Sequence, residues 1–272
     1  MNDALSAKIE EWSKPPFDEE TIAKLNLLKQ NPEQLDDAFY KDLEFGTGGM
    51  RGIMGIGTNR INAYTLGKST QGLCDYLKSA FSKIPIKVVI AYDCRNNSKS
   101  LAVKVAEIFS ANNVKVFIFS DLRTTPELSF AVKYLEAHCG IVLTASHNPP
   151  EYNGYKVYWK DGGQIVPPQD NEIIEQINNT RFSDIQFNAK KELIEWIDQK
   201  VDQAFFDKSV QLGQFEQNGR ENFKIVFTPL HGTSITAVPQ VLAKAGYTDV
   251  HLVEAQSSPN GNFPTVESPN PE

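Results

Sequence analysis

No apolar stretch in the sequence approaches the length needed to span a bilayer. No apolar run follows a basic N-terminal segment, so a signal peptide is not expected. Cysteine is scarce. Cys74, Cys94 and Cys139 are odd in number and fit no metal-binding spacing, which predicts reduced thiols in a cytoplasmic protein. Positive charge is short as well: 27 Lys and Arg against 34 Asp and Glu give a formal net charge of -7. That balance excludes a general nucleic-acid binder, which needs a basic excess to release counterions from phosphates. It leaves local anion pockets open, because net charge does not report placement. There is no Walker loop, no dinucleotide fingerprint after a strand and no internal repeat with shared residues.

What is present is ordinary folded material. The 272 residues are 40% hydrophobic and 22% charged, enough for a substantial core and for one to two domains. Residues 1–44 read as an N-terminal helical extension broken at Ser13-Lys14-Pro15-Pro16, with Pro32 in a first-turn position. A glycine-rich block follows, Phe45-Gly46-Thr47-Gly48-Gly49-Met50-Arg51-Gly52, and reads equally as a flexible hairpin or a phosphate cradle. Strands and helices then alternate. A helix is predicted over 65–81, strands over 87–92, 114–119 and 141–143, and Ser98 or Ser100 is expected to cap the helix between the first two. Residues 154–166 read as a hairpin turning at Asp161-Gly162-Gly163. Residues 180–222 read as polar and mostly helical, which puts a boundary near 190. Strand, helix and strand over 224–254 begin a second unit too small to be a stable sheet domain. The expected fold is α/β: a mixed sheet sandwiched by helices over 45–190, plus an incomplete second α/β domain over 191–272.

The chemistry centres on Thr144-Ala145-Ser146-His147-Asn148-Pro149-Pro150, which follows an apolar strand. A hydroxyl there sits at a strand's carboxyl end, where open α/β sheets bind ligands. Free serine is a poor nucleophile. No Gly-x-Ser-x-Gly elbow surrounds it, and neighbouring Ser and His side chains on a turn seldom meet in dyad geometry. A phosphorylated serine is a different species: nearly two negative charges that call for cations, backbone N–H groups or a divalent metal. Arg51, Arg95, His147 and Lys156 are candidates. Each also has a plain structural reading. Lys156 suits a hairpin surface, Arg95 a pair with Asp93 or a cap, and His147 a hydrogen bond within the loop. His231 suits a cap, and His138 and His251 suit structural roles.

Taken together, the segments resemble the α-D-phosphohexomutases, in family order and across nearly the whole chain. The glycine block resembles that family's N-terminal arginine motif, and Asp93-Cys94-Arg95 its first Asp-x-Arg loop. The Ser146 segment resembles the phosphoserine loop, and Asn153-Gly154-Tyr155-Lys156 the lysine motif after it. Thr228-Pro229-Leu230-His231-Gly232 resembles the start of the second domain. The resemblance is closest to the phosphoglucomutase, phosphomannomutase and phosphopentomutase branches. It implies a phosphoprotein isomerase that interconverts hexose 1-phosphate and 6-phosphate, glucose foremost, through phospho-Ser146 and a bisphosphate intermediate. It implies Ser146, Arg51, Lys156 and His147 as catalytic groups. Thr47, Arg95 and Asn148 are implied to bind substrate or phosphate, and Mg²⁺ to bind the Ser146 phosphate. Mannose or pentose phosphates, or non-catalytic binding of a sugar phosphate, stand as alternatives.

The sequence also departs from the family pattern. The family's aspartate-rich metal loop, sugar-selecting loop and C-terminal phosphate-binding loop are not found. The expectation is a natural fragment or a truncation that has little mutase activity without its C-terminal domains, its expected partners besides a sugar phosphate. Neither nucleic acid nor membrane is expected to bind.

Overall fold

The computed structural model describes residues 3–213 and 219–270. Three short helices lead in: α1 (Asp3–Glu11), α2 (Glu19–Leu28) and α3 (Pro32–Phe39). Asp18 and Asn31 cap the second and third by accepting amide hydrogens from Thr21 and Gln34. These helices are held by an aromatic cluster. Trp12 is fully buried and stacks on Phe17 with ring centroids 4.4 Å apart, and Phe39, Tyr64 and Phe182 close round it.

The main body is a six-stranded mixed sheet. Its strands are β1 (Gly49–Ile53), β2 (Lys87–Tyr92), β3 (Lys115–Phe119), β4 (Cys139–Leu143), β5 (Tyr152–Trp159) and β6 (Ile194–Ile197), in the order β1-β5-β4-β2-β3-β6. The pairs β4–β2, β2–β3 and β3–β6 are parallel, whereas β5 runs antiparallel to both β4 and β1. Helices α4 (Ala63–Ala80), α5 (Ser98–Ala111) and α7 (Gln169–Asn179) cover one face, where Val88, Ile90, Ile141, Leu143 and Tyr155 are buried. Helices α6 (Thr125–Tyr134) and α8 (Gln199–Leu212) belong to the other, where Val89, Ala91 and Val142 meet Leu128, Ala131 and Val201. This alternation is what period-two strands buried on both faces require. Local chemistry agrees with it: Asn62 and Thr65 form a capping box on α4, and Thr124 and Glu127 form one on α6 with Pro126 in its first turn.

The second unit is small. Strands β7 (Ile225–Phe227) and β8 (Val250–Leu252) pair in parallel, with α9 (Val238–Lys244) between them in sequence. The fold is thus an α/β mixed sheet between helices, followed by a partial second α/β unit.

Four local expectations change. Strand β6 lies inside the 180–222 region read as polar and mostly helical, and it extends the first sheet past residue 190 to Ile197. It is an edge strand whose Glu195 and Trp196 are exposed, so it lacks the apolar run of its neighbours. The return of the expected hairpin is a single bridge, Tyr158 to Gln164, ahead of Pro167 and Pro168, which cannot donate to a ladder. Asn97, not Ser98 or Ser100, occupies the cap position of α5. The glycine block makes a tight turn at Thr47-Gly48, with Gly46 and Gly49 exchanging both amide bonds, and then forms β1. Among the described residues no helix is long and apolar enough to cross a membrane.

Candidate active site

Residues 144–151 connect antiparallel neighbours β4 and β5 at the carboxyl edge of the parallel strands. The loop after β2, starting at Asp93, opens on the same edge, because Tyr92 pairs with Leu143. Ser146 is exposed and has a φ of 56°, in the left-handed region. Its amide donates to Thr144 Oγ1 at 3.0 Å, and the Asn148 amide donates to the Ala145 carbonyl at 3.1 Å. A non-glycine residue held there costs about 1–3 kcal/mol and persists only where its surroundings over-determine it.

Arg95 does the over-determining. Its Nη1 donates to the carbonyls of Pro149 at 2.9 Å and Tyr152 at 3.1 Å, and its Nη2 to those of Ser146 at 2.9 Å and Asn148 at 2.5 Å. Its side chain is fully buried, and Nε lies 3.5 Å from Asp93 Oδ2. Asp93 accepts the Arg95 amide at 2.9 Å and the Ser98 hydroxyl at 2.7 Å. Burial holds the Asp93 carboxyl above its usual range, against hydrogen bonds from Thr144, Ser98 and the Arg95 amide and the charge of Arg95. Burial also lowers the Arg95 guanidinium, which Asp93 opposes. Ser98 thus serves Asp93 rather than the helix end. Asn153, which sequence reasoning passed over, is fully buried and donates to Ser98 Oγ at 2.9 Å, tying β5 into the same network.

The Arg95 guanidinium fork thus bonds main-chain carbonyls of the serine loop. Thr47 lies apart from that loop. It sits at the turn before β1, and its hydroxyl donates to Asp170 Oδ2 at 3.2 Å, at the start of α7. From Arg51 it lies four residues away along the chain, toward the opposite edge of the sheet.

Arg51, His147 and Asn148 lie at the serine edge, and Lys156 lies further along β5, opposite Val142 and Gly49. Arg51 lies opposite Gly154 in the β1–β5 ladder, and its Nη1 donates to Asn148 Oδ1 at 2.5 Å. Lys156, two residues beyond Gly154, projects on that same face. Gly154 is needed between them, because a Cβ there would sit 2.6 Å from the Thr144 carbonyl oxygen and 2.8 Å from that of Met50. Burial lowers the Lys156 ammonium below the ordinary lysine range, and the charge of Arg51 adds to this, while Asp93 opposes it. Ser146 Oγ lies 3.3 Å from His147 Nδ1, within the same loop. Both are exposed, and among the described residues no third group orients the His147 ring, so a hydrolase triad is not formed.

The depressed Lys156 has a measurable consequence. Its native pKa is below its unfolded value, so the charged native form is penalised at neutral pH. That penalty fades as pH rises from the lowered native value toward about 10.4. Lys156→Met is therefore expected to stabilise the chain by about 0.5–1 kcal/mol at pH 7, with the gain shrinking toward pH 10. Urea melts at the two pH values check this; a gain that grows with pH would contradict it.

The donor set does not complete a magnesium site. Among the described residues no three His, Cys, Asp or Glu side chains cluster to hold a metal around the expected ligand, Ser146. The geometry instead offers an exposed hydroxyl beside an imidazole, on a loop whose Asn148 side chain accepts a bond from Arg51.

Residues 42–184 match the family described as phosphoglucomutase/phosphomannomutase, alpha/beta/alpha domain I, and residues 203–272 match alpha/beta/alpha domain II. The chain belongs to the phosphoglucomutase/phosphomannomutase family. Relatives in this family include a phosphoglucomutase of Staphylococcus epidermidis, 36% identical over 261 residues, covering 93% of this chain and 47% of that protein. A phosphoglucomutase of Staphylococcus haemolyticus is 37% identical over 243 residues, covering 87% of this chain and 43% of that protein. The solved structure of a phosphoglucomutase/phosphomannomutase family protein from Burkholderia thailandensis has the same fold, with a TM-score of 0.62 at 21% identity, covering 80% of this chain and 44% of that one. The chain spans about half the length of the curated relatives it matches.

Proposed function

We propose that Ser146 carries a transferable phosphoryl group in a sugar-phosphate mutase, and that this chain supplies the phosphoryl-carrying half. The observation that carries the reading is the loop geometry. The serine hydroxyl is exposed in a left-handed backbone, and that backbone is fixed by four carbonyl bonds to a buried arginine. Such a loop presents one oxygen at a constant position, which in-line transfer requires.

In the proposed step a sugar hydroxyl oxygen bonds to phosphorus as the bond from phosphorus to Ser146 Oγ breaks. The hydroxyl proton passes to a base, for which Lys156 with its lowered pKa is suited. Ser146 Oγ leaves as the alkoxide and takes up a proton, with His147 Nδ1 in reach at 3.3 Å. The bisphosphate then returns its other phosphoryl group by the reverse step. Arg51 stays cationic throughout and stabilises charge on the equatorial oxygens, steadied by Asn148. Arg95 acts one step back, as the residue that positions the loop. Glucose phosphate is the proposed substrate, in keeping with the relatives, and Mg²⁺ the proposed companion of the serine phosphate. Turnover is proposed to need residues beyond this chain. The test is peptide mass spectrometry of the protein expressed from its whole reading frame. One phosphate is expected on Ser146; phosphate on another residue with Ser146 unmodified would end the proposal.

A further inference from the structure

Arg95 is gripped from a second side, by the second unit. The ring of Phe263 lies against the Arg95 guanidinium, with 5.4 Å from the guanidinium carbon to the ring centroid. Next to it, Asn96 Nδ2 donates to Asn262 Oδ1 at 2.8 Å. A Cβ on Gly261 would sit 2.6 Å from the Asn96 nitrogen and 3.0 Å from the Arg95 Cα and carbonyl carbon, so the two backbones touch. Residues 261–263 therefore sit directly on residues 95–96.

The arrangement is held at both ends. Phe263 is buried and has a φ of 48°, a left-handed conformation rare outside glycine. Its amide donates to the Asn260 carbonyl at 3.2 Å, and the Asn262 amide to Asn260 Oδ1 at 2.9 Å. Behind it, buried His231 spans the loop, with Nδ1 3.0 Å from the Ser258 carbonyl and Nε2 2.9 Å from Thr265 Oγ1. The Asn260 amide donates to the His231 carbonyl at 3.0 Å. A loop with this much internal bonding presents Phe263 as a rigid surface.

We propose that Phe263 is a positioning residue of the second unit, which fixes the place of the Arg95 guanidinium and through it the backbone of the Ser146 loop. The guanidinium is flat, and its N–H groups point along its edges in that plane. Those edges reach the carbonyls of Ser146, Asn148, Pro149 and Tyr152, while the guanidinium carbon stands over the Phe263 ring. The cation is drawn to the ring face electrostatically, and the ring occupies the space into which the guanidinium would otherwise shift. Any shift would misalign the four bonds together. The second unit can thus act on the serine through Arg95.

The effect on loop order follows from geometry alone; the effect on catalysis rests on the phosphoryl-transfer reading. Hydrogen–deuterium exchange on the 272-residue chain separates the two. Phe263→Leu keeps apolar bulk but removes the ring face, and Phe263→Tyr keeps the ring. Phe263→Leu is expected to speed exchange of the Ser146 and Asn148 amides about tenfold with β2 and β4 amides unchanged, and Phe263→Tyr to stay near the parent. Unchanged loop exchange in Phe263→Leu, or equal acceleration across the sheet, would overturn the proposal. In the protein from the whole reading frame, Phe263→Leu is expected to lower kcat more than it raises KM. A loosened loop with kcat intact would support the coupling and count against the phosphoryl-transfer reading.

Discussion

Replacing Ser146 by alanine is expected to reduce mutase turnover of the protein from the whole reading frame by at least about 10⁴-fold, because in the proposed cycle Ser146 carries the phosphoryl unit through both halves. The fold should survive. Ser146 is exposed, and its amide bond to Thr144 and its carbonyl bond to Arg95 both belong to the main chain, which alanine retains. The stability change should therefore stay within about 0.5 kcal/mol. A coupled assay with glucose 1-phosphate, run beside a thermal melt, checks both parts. A variant that keeps its turnover would remove Ser146 from the mechanism, and one that loses turnover by unfolding would leave the mechanism unexamined at this residue but contradict the expected stability.

Arg95→Ala should show the opposite pattern: a large stability loss that precedes any question of rate. It leaves Asp93 buried beside an empty space and strips four carbonyls of their donors at once. Breaking a buried ion pair from one side costs about 3–5 kcal/mol. Lysine is not a conservative rescue, since an ammonium has three donors and no planar fork. Arg95→Lys should recover only part of the loss. Urea denaturation of both variants measures this; an Arg95→Ala chain as stable as the parent would show that the clamp is not needed to hold the loop.

The contrast between these residues shows what a sequence displays and what it conceals. The central strands were legible because both of their faces are buried, which gives runs such as Val88 to Tyr92 with no polar interruption. β6 was not, because its edge position leaves Glu195 and Trp196 in solvent. The serine segment was legible from its place between an apolar strand and two prolines. Arg51 and Lys156 were legible as cations but not as neighbours, because only the ladder register between β1 and β5 puts them on one face. The loop-holding bonds of Arg95 are not legible, because its partners are main-chain carbonyls, and every residue type supplies those, so they leave no pattern in side-chain identity. The partner of Thr47 is hidden for a related reason. Its motif lies beside Arg51 in sequence, but Thr47 sits in the turn before β1 and its hydroxyl meets Asp170. Phe263 and Gly261 carry no signal of their own in the sequence. Their role depends on a contact across more than one hundred and sixty residues of chain, as the Asn96 to Asn262 bond shows.

The way β5 returns beside β4 has one further effect. Because the two strands are hydrogen-bonded neighbours, Leu143 and Tyr155, on either side of the segment carrying Ser146, are pinned about one interstrand spacing apart, near 5 Å. A segment anchored like this cannot swing on a hinge. If both ends of a sugar must visit the same oxygen in turn, the travelling is left to the sugar: the ligand has to tumble while the protein's attacking atom stays in place.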